Sequence, residues 1–206
     1  MGKEETNQIV PEQITGKAID ATGSVEFNNE RNAKEFFTIA KRRLKNVNDW
    51  ADLAKVPSAI FKIVGTDGQE VDRAVKKGDY FKINVPGPGS STGDGFDWVI
   101  VEDVEDKIDT GGESFGFRVR PTENPNNLKK DIAHFYSEES TSSFLVTRVG
   151  CVVSAAVKDR NTKPNENADS TIDKIRDAVV GAAGVFSFSK IQWQGLVDGL
   201  LQKQKR

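Results

Sequence analysis

The stretch that decides the fold is "VEFNNERNAKEFFTIAKRRLKNVNDWADL", which runs from Val25 to Leu53. It opens with a short strand-like segment, and a helical pattern follows at once. From Ala33 to Ala54 the apolar positions recur after steps of four, three, four, three, four and three residues. This spacing places them on one face of a helix. The stretch therefore predicts a strand that leads into a helix with one buried stripe.

The helical region carries recognisable boundary residues. Asn28 or Asn29 is suited to cap the first turn, because a side-chain oxygen at that position accepts a free backbone N–H. The "NVND" run at 46–49 weakens the helix and can cap a second one before Trp50, and Pro57 closes the region. We expect either one long helix or two shorter helices that meet at 46–49.

Seven segments have the composition of strands, one before the helical region and six after it. Turn signals separate several of them. The segment "SFGFRVR" alternates strictly, with Phe115, Phe117 and Val119 on one face and Arg118 and Arg120 on the other. The predicted strands are 14–27, 58–65, 75–85, 96–105, 114–120, 141–149 and 151–158.

The chain ends in a second helical pattern. Apolar residues recur at helical spacing from about 171 to 202, and a straight helix of that length would measure about 48 Å. Gly181, Gly184 and the "FSFS" run at 186–189 predict a kink or break, because glycine weakens the interior of a helix.

The order of these elements predicts the fold class. Consecutive strands with short connections favour an antiparallel meander, and a helix at each end has to bury its apolar stripe against that sheet. We therefore predict an α+β fold, in which a curved antiparallel sheet of about six to seven strands wraps a long C-terminal helix. A helix or helix pair follows the first strand. Residues 15–206 form one domain in this prediction, and residues 1–14 form a flexible N-terminus.

This succession of elements resembles the helix-grip fold of the START and Bet v 1-like (SRPBCC) superfamily. The Val25–Leu53 stretch carries the resemblance, since members often show a similar strand, helix and tryptophan-containing turn. The chain also looks like uncharacterised bacterial proteins that have a similar "GDYFKI…PGPG…DW" segment. The resemblance to the superfamily implies a cavity between the sheet and the C-terminal helix, often for an apolar ligand. No catalytic motif of any subfamily is present.

Composition excludes several classes of function. The formal net charge is −2, and nucleic-acid binding usually needs a strongly basic face, so no nucleic-acid partner is expected. Cys151 and His134 are the only residues of their kinds, which excludes zinc sites that need two or more cysteines or two or more histidines. No apolar run approaches the roughly 18 residues of a membrane span. We expect a cytoplasmic protein with no cofactor and no metal.

The glycine-rich segment "VPGPGSSTGDGFDW", from Val85 to Trp98, suggests a phosphate or cation loop at first sight. Its glycines fit neither the dinucleotide pattern nor the P-loop, and it precedes a strand, whereas phosphate loops open a helix. Its aspartates lack the calcium-loop pattern. The segment is therefore predicted to be a long connection, which would form the lid or mouth of any cavity.

No residue is predicted to be catalytic. His134 has no visible partner for acid–base work, and Arg118 and Arg120 would bind a carboxylate or phosphate only if their strand face lines the cavity. The candidates for the cavity or its lid are Trp98, Phe115, Phe117, Arg118, Arg120, Phe186, Trp193, Gly89 and Gly93.

Three functions remain open at this point. The first is non-enzymatic binding of a small apolar or amphipathic ligand between the sheet and the C-terminal helix. The second is a structural or protein-interaction role with a filled core, in which Gly195 and Gly199 allow helices of a homodimer to approach closely. The third is an enzyme of the cyclase or hydrolase type. A closed, side-chain-filled interior would argue against the first.

Overall fold

Seven antiparallel strands form one sheet in the order β1-β7-β6-β5-β4-β3-β2. The computed structural model describes residues 9–54, 59–85, 93–127, 131–165 and 182–203, with side chains of the last range from residue 187 onward. The strands are β1 (Lys17–Glu26), β2 (Ile60–Val64), β3 (Tyr80–Asn84), β4 (Asp97–Ile108), β5 (Gly112–Pro121), β6 (Thr141–Val149) and β7 (Val152–Thr162). Within these ranges the helices are α1 (Glu30–Lys45), α2 (Trp50–Ala54) and α3 (Ala182–Leu200), and a 3-10 turn at Val47–Asp49 joins α1 to α2.

This architecture confirms the predicted α+β class and the order of elements on which the helix-grip resemblance rests. Among the described residues, a strand, two helices, six further strands and a C-terminal helix follow one another as expected. β7 continues to Thr162, beyond its predicted end at 158, so part of the expected polar connection is strand. β6 and β7 form the predicted hairpin around Gly150, whose φ of 55° lies in the left-handed region.

The helical region divides at the point that its polar run indicates. The side chain of Asn29 accepts a hydrogen bond from the backbone N–H of Asn32 at 2.9 Å, which caps α1. α1 then ends at Lys45, and the 3-10 turn begins two residues later. Of the two alternatives left open by the sequence, the structure therefore shows two helices rather than one.

Asn48, in the turn between these helices, covers the backbone of the edge strand β2. Its Oδ1 accepts from the amide of Ile63 at 2.8 Å, and its Nδ2 donates to the carbonyl of Val71 at 2.9 Å. A strand at the edge of a sheet otherwise offers free donors and acceptors to other chains. One side chain thus fixes the helical turn against the sheet and closes part of its edge.

The middle of the interior is filled by aromatic side chains around Trp50. Its ring centroid lies 5.3 Å from that of Phe61, 6.2 Å from Phe81, 6.0 Å from Phe117 and 4.8 Å from Phe144. All five side chains are buried. Aromatic pairs at these separations add to the energy of burial. Helices α1 and α2 and the inner face of the sheet therefore meet over a packed aromatic cluster.

α3 lies across the same face of the sheet and buries Leu196, Val197 and Leu200 completely. The helix is continuous from Ala182 through residues 184–189, so the break predicted there does not occur within the described range. The predicted start near 171 lies outside the described residues. Neither α3 nor any other helix in the described ranges is long and apolar enough to cross a membrane.

Gly199 lets α3 approach α2 of the same chain. A Cβ built on this residue would lie 2.2 Å from the backbone oxygen of Leu53, which no real side chain tolerates. The close approach that this glycine permits is therefore already used within the chain, by the carboxyl end of α2.

The N-terminal segment is described from Ile9, and residues 1–8 lie outside the described ranges. Asn161 on β7 holds the segment, because its Oδ1 accepts from the amides of Ile14 and Thr15 at 2.8 and 3.0 Å. The carbonyl of Ile9 accepts from the hydroxyl of Ser143 at 2.8 Å. Residues 9–15, most of which were expected to be flexible, are thus hydrogen-bonded to the outer face and end of the sheet.

Replacing Gly199 with alanine should destabilise the fold by about 1–3 kcal/mol, the usual cost of overpacking, although alanine is intrinsically the better helix former. The reason is the backbone oxygen of Leu53 in front of the added methyl group. Gly111→Ala is the matched control, since the nearest atom to its Cβ is Asp109 Oδ1 at 3.5 Å. Urea unfolding midpoints measure both variants, and equal midpoints would contradict the close contact.

Candidate functional site

A cleft opens between one end of the sheet and α3. A short segment that follows residue 130 crosses this end of the sheet and closes it. The carbonyl of Ala133 accepts from the amide of Trp98 at 2.7 Å, and the carbonyl of Phe135 accepts from the amide of Asn165 at 2.9 Å. These bonds tie the segment to β4 on one side and to the residues after β7 on the other. These bonds thereby hold His134, Phe135 and Tyr136 at the cleft.

The cleft encloses a small cavity of about 40 Å³. A cavity needs roughly 10–15 Å³ to hold one water, so this one has room for about three waters. Apolar and uncharged polar residues line it together, and the partly exposed Val85, Phe135 and Phe188 lie at its mouth. The lining residues are Ala59, Phe61, Ile83, Val85, His134, Phe135, Tyr136, Ser142, Phe188, Ser189, Gln192 and Trp193.

His134 is a neutral imidazole in this cleft. Its Nδ1 accepts a hydrogen bond from the amide of Tyr136 at 2.9 Å. Burial lowers the pKa of His134 to about 3, against the opposing effect of that hydrogen bond. Because a neutral imidazole with an accepting Nδ1 carries its proton on Nε2, the side chain keeps one N–H donor.

Two hydroxyl groups meet across the cleft. The Tyr136 Oη and the Ser189 Oγ are 3.1 Å apart, so the crossing segment is hydrogen-bonded to α3. Desolvation raises the pKa of Tyr136 far above its usual range, and the phenol is therefore protonated at neutral pH. One turn along α3, the Oε1 of Gln192 accepts from the amide of Ala59 at 3.0 Å. Uncharged groups thus connect the helix to both sides of the cleft.

Asp159 lies behind the cleft on the inner face of β7 and is completely buried. The indole N–H of Trp193 donates to its Oδ2 at 2.8 Å, whereas its Oδ1 has no hydrogen-bond partner among the described residues. Burial raises the pKa of this carboxyl to about 7, although the neighbouring Ser142 hydroxyl and Trp193 indole lower it. A large fraction of Asp159 is therefore uncharged near neutral pH.

A second buried carboxyl, Asp97, occupies the first position of β4. It is 6% exposed, and burial raises its pKa to about 7 against a hydrogen bond from the backbone of Phe135. Asp97 is not one of the residues that line the cavity. Both buried carboxyls thus share the same consequence for stability, and each contacts a cavity residue, Asp97 at the backbone of Phe135 and Asp159 at the indole of Trp193.

The aromatic candidates from the sequence fall in different places. Trp193 lines the cavity. Phe117 belongs to the filled cluster around Trp50, and Phe115 lies farther along β5, with the Lys45 ammonium 4.5 Å from its ring centroid. Neither phenylalanine lines the cavity. Gly89 and the side chain of Phe186 lie outside the described residues.

Arg118 and Arg120 project from the outer face of β5, away from the cleft. Glu102, the extra residue of a bulge in β4, accepts hydrogen bonds from the Nε atoms of both guanidinium groups. Burial alone would raise the pKa of Glu102, but the hydrogen bonds from Arg120 and Arg118 hold that pKa below its usual range. The two arginines therefore serve an ion pair on the outer face and do not reach a ligand in this cavity.

Trp98 and Gly93 also lie on the outer face. Trp98 packs with Val64 and Ala133 in a small separate cluster, and its indole N–H donates to the Gly93 carbonyl at 3.2 Å. Both residues border an open depression of about 530 Å³ with a largely polar lining. The Lys82–Glu70 ion pair belongs to the same lining. Binding sites for small molecules are usually more enclosed and more apolar, so the inner cleft is the better candidate.

No pattern in the sequence pointed to most residues of the cleft, among them Tyr136, Ser189 and Gln192. Asp159 could have been found. Val153, Ala155 and Val157 alternate on the inner face of β7, and Asp159 continues the same alternation. The predicted strand ended at 158, which left this residue in a connection.

Within the described ranges, no group of three or more His, Cys, Asp or Glu side chains is arranged to hold a metal ion.

No protein-family model matches the chain, and no curated protein does. Solved structures of low sequence identity match over most of the chain. A hypothetical protein from Helicobacter pylori has 12% sequence identity and a TM-score of 0.49, covering 89% of this chain and 87% of its own. A truncated norcoclaurine synthase from Thalictrum flavum has 10% identity and a TM-score of 0.36, covering 94% and 100%. A major latex-like protein from Panax ginseng has 10% identity and a TM-score of 0.37, covering 91% and 100%.

Replacing Asp159 with asparagine should stabilise the protein at pH 8 and leave its stability unchanged at pH 4. The pKa of this carboxyl is raised from 3.8 to about 7 on folding. The folded state therefore keeps its proton while the unfolded state loses it, and stability falls as the pH rises through this window, by roughly 1.4 kcal/mol per pH unit at most. Above about pH 7 the folded state also loses its proton, and the stability does not fall further. Asparagine does not titrate, so the variant does not lose this stability.

The measurement is the unfolding free energy of variant and wild type in urea between pH 4 and pH 8. Asp72→Asn, which changes an exposed carboxyl, serves as the control and should not alter the pH dependence. A variant that is less stable than the wild type at pH 8 would show that Asp159 is ionised and well stabilised in the fold.

Proposed function

We propose that the protein binds a small amphipathic molecule, without catalysis, in the cleft between the end of the sheet and α3. The observation that carries this proposal is the mixed lining of the cleft. Apolar side chains such as Phe61 and Trp193 share one cavity with the uncharged hydrogen-bonding groups of His134, Tyr136 and Ser189. Pockets for small molecules combine mostly apolar walls with a few placed polar groups in this way.

The filled interior restricts the size of the ligand. The aromatic cluster around Trp50 occupies the space in which a larger cavity between sheet and helices would lie. The cleft itself measures about 40 Å³, so it accepts a group of a few non-hydrogen atoms, with the rest of a longer molecule at the mouth beside Phe135 and Phe188. Ligand pockets for larger molecules measure roughly 300–1,000 Å³.

A binding role is favoured over an enzyme because the cleft offers no group suited to acid–base work near neutral pH. Burial lowers the pKa of His134 to about 3, far below the range in which a general base is efficient. Asp159 lies behind the cleft rather than in its lining. The hydroxyl pair of Tyr136 and Ser189 has no charged side chain among the cavity residues to activate it.

The experiment is a titration with 2-butanone, a neutral ketone of five non-hydrogen atoms, followed through the indole N–H signal of Trp193 in ¹H–¹⁵N spectra. We expect a saturable shift with a high-micromolar to millimolar dissociation constant, since small ligands gain at most roughly 1.5 kcal/mol per atom. Val85→Phe should abolish it, because the larger side chain fills the mouth.

Ile60→Phe is the matched control, since it introduces the same side chain at an exposed position outside the cavity. It should leave the titration unchanged. If the Trp193 signal does not move in the wild type, or if it moves equally in Val85→Phe, the cleft is not the binding site. Native mass spectrometry of freshly purified protein then identifies any natural ligand that copurifies.

The filled interior also favours a second candidate, a structural or protein-interaction domain. The route to self-association through Gly199 is unsuited to this role, because α2 of the same chain occupies that position. The exposed side of α3 is mainly polar in its described part, with Ile191 as its one large apolar residue. A concentration-independent dimer mass in light scattering would support this candidate, and a monomer mass would argue against it.

A further inference from the structure

We infer that the cleft selects neutral ligands with a hydrogen-bond acceptor, such as amides and ketones, and that Asp159 excludes carboxylates of the same shape. This inference rests on the proposed function and names the ligand class of the same site. It follows from three features of the cleft: the donors that line it, the charges among its lining residues and the carboxyl behind it.

The donors come first. His134 has an accepting Nδ1, which places its proton on Nε2 and makes the lining side chain a donor. The side-chain amide of Gln192 lies in the same lining, and because its Oε1 accepts from the amide of Ala59, its Nε2 is a second donor. A ligand oxygen with free lone pairs, as in a carbonyl group, satisfies these donors. A purely apolar ligand would leave them without partners, which is unfavourable in a buried place.

The charges come second. None of the described residues that line the cavity is a lysine, an arginine or an ionised acid, so a bound carboxylate would find no counter-charge there. Arg160 is next to Asp159 in β7 but belongs to the outer face, where it binds Asp20 at 2.7 Å. Moving an unpaired carboxylate out of water costs several kcal/mol, which a few neutral donors do not offset.

Asp159 comes third, and it acts through its neighbours rather than by contact with the ligand. Its Oδ2 holds the indole of Trp193, and Ser142 is its cross-strand partner in β6. Both partners line the cavity. A negative charge on Asp159 therefore lies one side chain away from the place that a ligand carboxylate would occupy, in surroundings of low dielectric constant. The Asp159 carboxyl is also completely buried, with an exposed fraction of 0%.

The test compares butanamide with butanoate, which have the same shape and differ in charge, at pH 8 in the same Trp193 titration. We expect butanamide to bind at least tenfold more tightly than butanoate. In Asp159→Asn the dissociation constant of butanoate should fall at least threefold, while the dissociation constant of butanamide changes less than twofold. Asp72→Asn should leave both constants unchanged, because the residue is exposed and far along the chain from the cleft.

The outcomes separate the inference from the proposed function. If 2-butanone binds and butanoate binds within threefold of butanamide, the neutral selectivity is wrong while the binding function stands. If butanoate stays equally weak in Asp159→Asn, Asp159 does not exclude carboxylates. If neither butanamide nor 2-butanone shifts the Trp193 signal, the proposed function itself fails.

Discussion

The packing of Trp50 against four phenylalanines is the interaction on which the rest of the structure depends. The inner face of the seven-stranded sheet is apolar and has to be covered, and α1, α2 and α3 cover it. Trp50 stands at the start of α2 and contacts residues of β2, β3, β5 and β6 at once. Its burial therefore fixes the position of the helix pair over strands from both halves of the sheet, and it leaves space only at one end.

That end is where polar groups collect, and they do so without net charge. A charge is expensive to bury without a partner, whereas a neutral donor or acceptor needs only one good hydrogen bond. The charged groups follow this rule. Glu102 and its two arginines are on the outer face, and Asp79 in the interior is held by Arg73 through hydrogen bonds of 2.7 and 2.8 Å. Asp97 and Asp159 are the exceptions, and burial raises the pKa of both carboxyls to about 7.

The sequence was sufficient for the features that follow from local periodicity. The alternation of β5, the hairpin at Gly150 and the division of the helical region at 46–49 each depend on residues that are neighbours in the chain. The cleft depends on contacts between distant segments instead. Tyr136 contacts Ser189 only because the irregular segment after residue 130 crosses the end of the sheet. No periodic pattern in the sequence predicts such a crossing.

The glycines of α3 show the same limit in another way. From spacing alone, Gly199 suits the contact of any helix, whether of the same chain or of a second copy. In the structure Gly199 packs against the backbone of Leu53 in the same chain, and only the tertiary structure shows this contact. Similarly, the alternation of Arg118 with Val119 shows that the two residues point to opposite faces of the sheet. Which face is inner is settled only when the helices have packed.

The anchoring of the N-terminal segment has a consequence for how the chain is made. β1 pairs with β7 alone, and Asn161 binds a segment 147 residues before it. At a synthesis rate of about 5–20 residues per second, the first strand has to wait on the order of ten to thirty seconds for its partner to emerge from the ribosome. During that time the meander from β2 to β6 can form without it. β1 and the segment bound by Asn161 are therefore among the last parts to join the native sheet, and α3, which follows β7 in the chain, is synthesised later still.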